Sequence, residues 1–474
     1  MVDAALRHIW RYAMSKNPAC ETGDHQLRRA VLSSFVGAAL EWYDFFLYGA
    51  VAGLVFAPLY FPNFDPVVGT ILSYATFAVG YIGRASGAVI FGHFGDKLGR
   101  KKMLVLTLYV MGIGTFAIGC IPTYDQIGIF APLLLIICRF AQGLGLGGEW
   151  GGAILMSVES APAHKRAFYG TLPQVGLAVG LLMASGVIGL LSLGMSDADF
   201  MAYGWRIAFI SSIVLLAVGS YIRNKVGETK DFTEAKSSRE EIGIPLLAAF
   251  TNYPKMMLAA IGARCFEGFV FAIFSVYSLT FLTQHGMDRS WSLIVVAVAS
   301  AVMGVCMPFW GILADRIGKA RTFGQNSLLL AFLTFLAFYI FYNYATSFVM
   351  ACIGLSLTFG VVYSGMFGVM SSMFAECFPP AVRYSGMGFV YQISGIPSVG
   401  FAPMICIALV EWNGGAPWYL CTFTFAVGII SVISCWYMSS LQKRGYNKES
   451  SRREVPLRQG KETVPGQGQP GSLA

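Results

Sequence analysis

The sequence predicts an all-α membrane protein of about twelve transmembrane helices, arranged as two six-helix bundles that are structural copies of each other. Three observations predict this fold. The chain has 474 residues, of which 56% are hydrophobic and only 12% are charged, whereas soluble domains carry roughly 25% charged residues. Apolar runs long enough to cross a bilayer, which takes ~20 residues, recur along the chain. Finally, two polar motifs recur at matching places in its two halves.

The apolar runs divide the chain into two bundles with polar segments around them. We expect a cytoplasmic N-terminal segment at 1–30, a first bundle at 31–222, a central cytoplasmic loop at 223–255, a second bundle at 256–440 and a disordered tail at 441–474. The tail is basic and rich in Gly, Pro and Gln, a composition typical of disorder. The predicted spans, numbered 1 to 12, are 31–58, 67–91, 103–122, 130–157, 167–193, 203–222, 256–283, 290–313, 322–342, 347–375, 384–411 and 418–440.

The positive charges predict the orientation in the membrane. Of the 33 Lys and Arg residues, two lie at the loops that follow odd-numbered spans, namely Arg206 at the start of span 6 and Arg289. Arg84, Arg139 and Arg264 lie within spans. The others occupy the termini and the loops after even-numbered spans. Because cytoplasmic loops carry the excess of Lys and Arg, both termini are predicted to be cytoplasmic. The net charge of +8 reports the same bias, so we expect no nucleic-acid partner.

A glycine-rich polar motif follows span 2 and recurs after span 8. The first copy, GHFGDKLGRK, begins at Gly92 and contains Asp96, Gly99 and Arg100. The second copy, GILADRIGK, contains Asp315, which lies 219 residues after Asp96.

A second, unrelated motif repeats at nearly the same offset. The pattern Glu-x-x-Pro-x-x-x-Arg places Glu159 and Arg166 after span 4, and Glu376 and Arg383 after span 10. The two glutamates are 217 residues apart. Two independent motifs at one offset indicate parallel six-helix repeats, with a substrate site near the midplane between them.

These motifs resemble those of a known family. The pattern G-x-x-x-D-x-x-G-R-K is similar to the signature loop of the major facilitator superfamily. The segments EWYDFFLYG from Glu41, RFAQG from Arg139 and GGEWGGA from Gly147 resemble the metabolite:proton symporter family, and the shikimate transporters in particular, over about residues 30–440. The resemblance implies proton-driven alternating access, with the signature loops holding the halves together in the outward-facing state.

Two acids in span 1 are the candidates for proton coupling. Glu41 and Asp44 are three residues apart, so we expect them on one helix face, with Tyr48 one turn further on. Two carboxylates this close in a low dielectric repel, so one should keep its proton near neutral pH. The alternative is a structural pair in which an arginine from a neighbouring helix fixes each acid.

Span 4 carries a polar stripe. Arg139, Gln142 and Glu149 recur with Leu146 and Ala153 at helical steps, so they should face a cavity. Arg139 is the first candidate to bind a substrate carboxylate, or else to pair with a span-1 acid, because guanidinium holds a carboxylate in bidentate fashion. A helix-locking ion pair is the alternative.

The remaining candidates lie in spans 2, 5, 7 and 11. Arg264 and Glu267 are three apart on span 7 and can pair locally, either as a static ion pair or as part of the pocket. Arg84 is expected near the cytoplasmic end of span 2, where its side chain could extend towards the membrane–water interface or join the network of loop residues. Polar side chains that could bind substrate hydroxyls, or else hydrogen-bond between helices, are Gln174, Tyr391 and Gln392.

The repeated motifs supply the candidate gating residues. We expect Asp96 to accept hydrogen bonds from backbone N–H groups at a neighbouring helix start and to pair with Arg166, while Arg100 reaches Glu159. Gly92 and Gly99 allow close approach. The second cluster is expected to comprise Asp315, Glu376 and Arg383. Surface charge that only fixes topology is the alternative.

The sequence favours a transporter over an enzyme. It contains no Walker motif, no HExxH, no C-x-x-C pair and no paired His, Cys or Ser constellation, so we expect no cofactor, no metal and no catalysis. The leading hypothesis is a monomeric proton symporter in a bacterial inner membrane that imports a small organic acid such as shikimate. Its partners would be protons, the acid and the lipid bilayer. A symporter for di- or tricarboxylates or for a zwitterionic osmolyte, and a passive facilitator, remain open.

Overall fold

The computed structural model describes residues 21–98, 100–147, 157–159, 161–225 and 245–446. Eleven of the described helices are long and apolar enough to cross a membrane, and a shorter apolar helix, Val105–Cys120, occupies the place of predicted span 3. The all-α membrane architecture is therefore confirmed, while a count of twelve spans stays a prediction. Helices are the expected solution, because in lipid every backbone N–H and C=O must be satisfied within the segment.

The first bundle follows the predicted spans closely. Its spans 1 to 6 contain the helices Glu21–Val51 with Ala57–Tyr60, Pro66–Leu98, Arg100–Cys120, Phe130–Gly147, Arg166–Gly194 and Trp205–Lys225. The second bundle repeats the arrangement. Its spans 7 to 12 contain Pro254–Ala272 with Ser278–Gln284, Arg289–Ile317, Lys319–Asn343, Phe348–Leu355 with Ser364–Ala375, Pro380–Gly395 with Ala402–Trp412, and Trp418–Lys443.

Short π-helical segments interrupt or begin several spans. They are Ala52–Phe56 in span 1, Phe200–Gly204 at the start of span 6, Ile273–Tyr277 in span 7, Ser356–Tyr363 in span 10 and Ile396–Gly400 in span 11. Such segments are rare in proteins and often lie at functional sites. Those in spans 1 and 7 occupy corresponding places in the two halves, which extends the internal repeat from the sequence to the backbone.

Glycines let neighbouring spans pack backbone to backbone. A Cβ at Gly143 on span 4 would lie 2.1 Å from the Gly80 carbonyl oxygen of span 2, and one at Gly147 would lie 2.1 Å from that of Arg84. Glycine at these two positions therefore lets span 4 approach span 2 closely. Across the two halves, span 5 packs on span 8 and span 2 on span 11.

Contacts close the interface between the halves at both ends. We call the end that carries the repeated motifs the signature end. There Asp315 accepts hydrogen bonds from the backbone N–H groups of Ala167 (2.9 Å) and Phe168 (3.0 Å). At the opposite end, the Tyr74 hydroxyl lies 2.7 Å from Oγ1 of Thr280. The described part of the chain is therefore in an occluded conformation.

The structure differs from the predicted segments in three places. The first helix begins at Glu21, inside the expected N-terminal segment, and a helix at Pro245–Asn252 lies inside the expected central loop. Span 2 continues to Leu98, so most of the first signature motif has a helical backbone. Polar residues are tolerated at a helix end outside the bilayer, so the apolar pattern alone stopped too early. Residues 1–20 and the predicted tail from 447 onwards lie outside the described residues.

Candidate functional site

Three buried arginines meet at the centre of the interface between the halves. Arg84, Arg139 and Arg264 are exposed by 1%, 0% and 3%. All three lie within electrostatic range of Tyr81, a span-2 residue, and Tyr391 of span 11 lies there too. Because a buried charge is stable only when it is paired and hydrogen-bonded, the partners of these arginines decide what the site can bind.

Arg139 makes its contacts within the first bundle. Its Nη1 donates to Oε1 of Gln142, and its guanidinium carbon lies 4.2 Å from the ring centroid of Tyr48. Gln142 in turn donates to Oγ1 of Thr115 (2.8 Å) and to the backbone oxygen of Asp44 (3.2 Å). Gln142 therefore positions Arg139 against span 1. Nε and Nη2 of Arg139 have no hydrogen-bond partner.

The two span-1 acids, Glu41 and Asp44, are both buried, and their role as a proton-coupling pair stays a prediction. Asp44 is 4% exposed and lines a narrow cleft with Leu40 and Leu108, beside the Thr115 hydroxyl. The residues that line this cleft belong to spans 1, 3 and 6, so Asp44 points towards spans 3 and 6. Three residues on a helix turn through about 300°, which leaves the directions of Glu41 and Asp44 only about 60° apart. Oδ1 of Asp44 is buried without a hydrogen-bond partner.

Arg264 and Glu267 form the local ion pair that their spacing allows. The two side chains make a salt bridge and are 3% and 1% exposed. Oε1 of Glu267 also accepts a hydrogen bond from the Tyr363 hydroxyl at 2.5 Å. The guanidinium carbon of Arg264 lies 4.5 Å from the Tyr391 ring centroid, which places the predicted Tyr391 in the site.

Arg84 was expected to extend towards the membrane surface or to join the loop network. Its side chain instead is buried, at 1% exposure, within the apolar helix of span 2. Its guanidinium is surrounded by aromatic rings, and its Nε, Nη1 and Nη2 have no hydrogen-bond partner. The sequence signal for this residue was its charge within an apolar span.

The two glutamines proposed for hydroxyl binding instead connect the halves. Gln174 on span 5 donates to the backbone oxygen of Phe367 on span 10 at 3.1 Å. Gln392 on span 11 donates to the backbone oxygen of Gly147 on span 4 at 3.3 Å. In this occluded conformation both side chains therefore make the interhelical bonds that were the alternative interpretation. The predicted Glu149 lies outside the described residues.

At the signature end the second-half cluster is rearranged relative to expectation. Arg383 does not join Asp315 and Glu376 but crosses to Glu159 of the first half at 2.7 Å. Glu376 pairs with Lys319 of its own half. Asp315 plays the part expected of Asp96, since it accepts from the backbone at the start of a helix in the other half.

The other gating candidates cannot be placed in full. The side chains of Asp96 and Arg100, the surroundings of Gly92 and the whole of Gly99 lie outside the described part of the chain. Arg166 is half-buried at the start of span 5, and its Nε has no hydrogen-bond partner. Their gating roles stay predictions.

We predict that Asp315→Asn opens the signature end. The substitution removes the charged acceptor of two backbone hydrogen bonds, and bonds to charged groups contribute ~1.5–3 kcal/mol. In a background without reactive native cysteines, a cysteine at the buried Ser372 should react with a maleimide roughly ten times faster. Glu376→Gln, which breaks a pair within one half, should change the rate far less. Equal rates in the two variants would contradict the role of Asp315.

Comparison with known proteins decides the family. The Major Facilitator Superfamily family model matches residues 34–399, with a second match over 297–467. The chain belongs to the major facilitator superfamily. It is 38% identical to the shikimate transporter of Escherichia coli K12 over 88% of this chain and 95% of that protein. It is also 39% identical to the inner membrane metabolite transport protein YhjE of the same organism, over 82% and 88%.

More distant comparisons agree with this membership. The chain is 33% identical to the proline/betaine transporter of E. coli K12, over 87% of this chain and 84% of that protein. Among solved structures, the D-xylose-proton symporter superposes with a TM-score of 0.66 at 17% identity, over 86% and 96% of the two chains. That likeness supports the fold alone. This major facilitator protein is thus a multi-pass membrane transporter rather than an enzyme, and the predicted resemblance to shikimate transporters is confirmed.

Proposed function

We propose that this transporter is a proton symporter that imports a small organic acid of the shikimate type by alternating access. The observation that carries the proposal is the charge balance at the centre of the interface. Around Tyr81, the described side chains include the guanidiniums of Arg84, Arg139 and Arg264, and Glu267 neutralises the last of these. Such a site favours an anion, because an incoming carboxylate supplies the missing negative charge.

The proton site that we propose is Asp44, with Glu41 as the second candidate. Asp44 is buried in an apolar cleft, so protonation would remove an expensive charge, and intramembrane acids often mark proton pathways. Thr115 and Gln142 connect it to Arg139. A change of charge at Asp44 can thereby alter the orientation of Arg139 and so the affinity for an anion.

The orientation that we propose places both termini in the cytoplasm of a bacterial inner membrane. The signature end is then cytoplasmic, and Arg289 and Asp197, which form a salt bridge of 3.2 Å across the halves, lie at the periplasmic end. Opening at one end requires the contacts there to break while those at the other end persist. We also propose a monomer, since each chain contains both halves of the site.

A zwitterionic osmolyte is the main rival, because some relatives are named proline/betaine transporters. Aromatic rings can hold a quaternary ammonium group. Here, however, the aromatic box at the centre of the interface holds the guanidinium of Arg84. A trimethylammonium group in this place would lie against a like charge, which disfavours the osmolyte.

The experiment that tests the substrate class is competition for uptake. Purified protein in proteoliposomes should take up labelled shikimate, and unlabelled monocarboxylates with a compact ring should compete. Glycine betaine, citrate and xylose should not. If labelled shikimate is not taken up while labelled glycine betaine is, the anion proposal is wrong.

A further inference from the structure

Four aromatic rings surround the guanidinium of Arg84. Its central carbon lies 5.3 Å from the ring centroids of Trp42 and Tyr81, 5.6 Å from that of Phe45 and 5.8 Å from that of Tyr391. We call these four rings the aromatic box. Spans 1 and 2 of the first half supply three of them, and span 11 of the second half supplies the fourth. The box is therefore complete only when the halves are together.

Arg84 has no polar partner inside this box. The side chain is 1% exposed, and Nε, Nη1 and Nη2 all lack hydrogen bonds. Arg84 makes no ion pair with any residue in the part of the chain that the structure describes. Cation–π contacts stabilise a cation, but they satisfy none of the five N–H donors of a guanidinium. A buried group with this many unsatisfied donors is costly unless a ligand supplies the acceptors.

The other two arginines are engaged differently. Arg264 is paired with Glu267, so a substrate carboxylate would have to displace an acid on the same helix. Arg139 donates to Gln142 and belongs to the network that leads to Asp44. Among the described residues, neither Arg84 nor Arg139 forms an ion pair, and of these two only Arg84 contacts aromatic rings from both halves.

We propose that Arg84 is the anchor for the carboxylate of the substrate, and that the aromatic box holds its guanidinium when the site is empty. This inference rests on the proposed function and names the residue that recognises the anion. On binding, a carboxylate would accept two N–H bonds in the plane of the guanidinium, while the rings stay on its faces. The substrate class that fits is a carboxylate attached to a compact, uncharged ring, whose body would lie against the box.

The box also explains how the charge of the substrate can change the contact between the two halves. Tyr391 contacts both Arg84 and Arg264, at 5.8 and 4.5 Å. Its backbone neighbourhood packs against span 2, because a Cβ at Gly395 would lie 3.1 Å from the Tyr81 ring. A carboxylate on Arg84 would weaken the repulsion between the two guanidiniums that contact Tyr391. Closure around the substrate would then be favoured by its negative charge.

The test removes the charge from the ligand and from the protein in turn. Binding of acids and of their methyl esters is measured on purified protein through tryptophan emission, using shikimate, benzoate and cyclohexanecarboxylate as probes. Wild type should prefer an acid to its ester by about 10- to 100-fold, the range expected for hydrogen bonds to a charged group. In Arg84→Gln the affinity for the acid should fall to that for the ester, and the affinity for the ester should be nearly unchanged. Arg444→Gln, at an exposed cation near the end of span 12, should keep the preference.

The outcomes separate this inference from the proposed function. If Arg84→Gln lowers the affinities for acid and ester equally, Arg84 is a packing residue and the inference fails, although the proposed function stands. If Arg84→Gln keeps the preference for the acid, another arginine holds the carboxylate, and the inference again fails alone. If no acid binds wild type while glycine betaine does, both are wrong. Arg84→Lys, which keeps the charge but not the planar fork, should recover only part of the preference.

Discussion

Replacing Asp44 with asparagine should abolish concentrative uptake while leaving exchange of substrate across the membrane intact. Asparagine has nearly the same shape and can keep the contact with Thr115, but it cannot carry a proton between the two sides. With one proton per substrate, an imposed gradient of about 2 pH units supports accumulation of about 100-fold, since each factor of ten corresponds to ~1.4 kcal/mol. In the Asp44→Asn variant the ratio should fall to about 1.

Two companion variants make this result specific. Asp125→Asn changes an exposed acid between spans 3 and 4 and should accumulate substrate like wild type. Glu41→Gln asks whether the other span-1 acid carries the proton, because Glu41 is buried in the same span. Undiminished accumulation by Asp44→Asn would remove Asp44 from the coupling role, and loss of accumulation in Glu41→Gln alone would transfer the role to Glu41.

The second large effect concerns the buried ion pair of span 7. Arg264→Gln leaves Glu267 fully buried beside Tyr363 without its cation, and breaking a buried pair in this way costs about 3–5 kcal/mol. We expect a clear fall in the midpoint of thermal unfolding in detergent. The double variant Arg264→Gln with Glu267→Gln should recover most of the lost thermal stability, because the double substitution leaves no uncompensated charge.

An exposed pair provides the matched control. Arg289→Gln breaks a salt bridge whose acid, Asp197, is 84% exposed, and exposed pairs contribute at most about 1 kcal/mol. Its unfolding midpoint should stay close to that of wild type. An Arg264→Gln variant as stable as Arg289→Gln would mean that Glu267 is already neutral, and the charge balance proposed for the site would have to be revised.

Much of the fold follows from the sequence because the bilayer limits what a chain can do. Apolar length determines the spans, and the distribution of Lys and Arg predicts their direction. The repeat of Asp96 at Asp315 and of Glu159 at Glu376 revealed the two halves. The signature pattern around these residues also predicted the family, which the comparisons confirm.

The site was harder to predict because periodicity gives a helix face but not what packs against it. Arg84 was expected to extend towards the membrane surface, because the sequence does not show that aromatic rings from three spans would surround it. Arg383 was expected within its own half, yet it pairs with Glu159 of the other half. No local pattern in the sequence predicts which of two related clusters a long side chain will reach. The aromatic box likewise brings together residues from three spans, and one of them, Tyr391, is far from the others along the chain.

The measurement that tests the central claim most directly is the accumulation of labelled shikimate in proteoliposomes under an imposed inward proton gradient. The account predicts accumulation above the external concentration, lost when a protonophore is added and absent without the gradient. Uptake that merely equilibrates, at the same level with and without the gradient, would contradict proton symport and would indicate a passive facilitator.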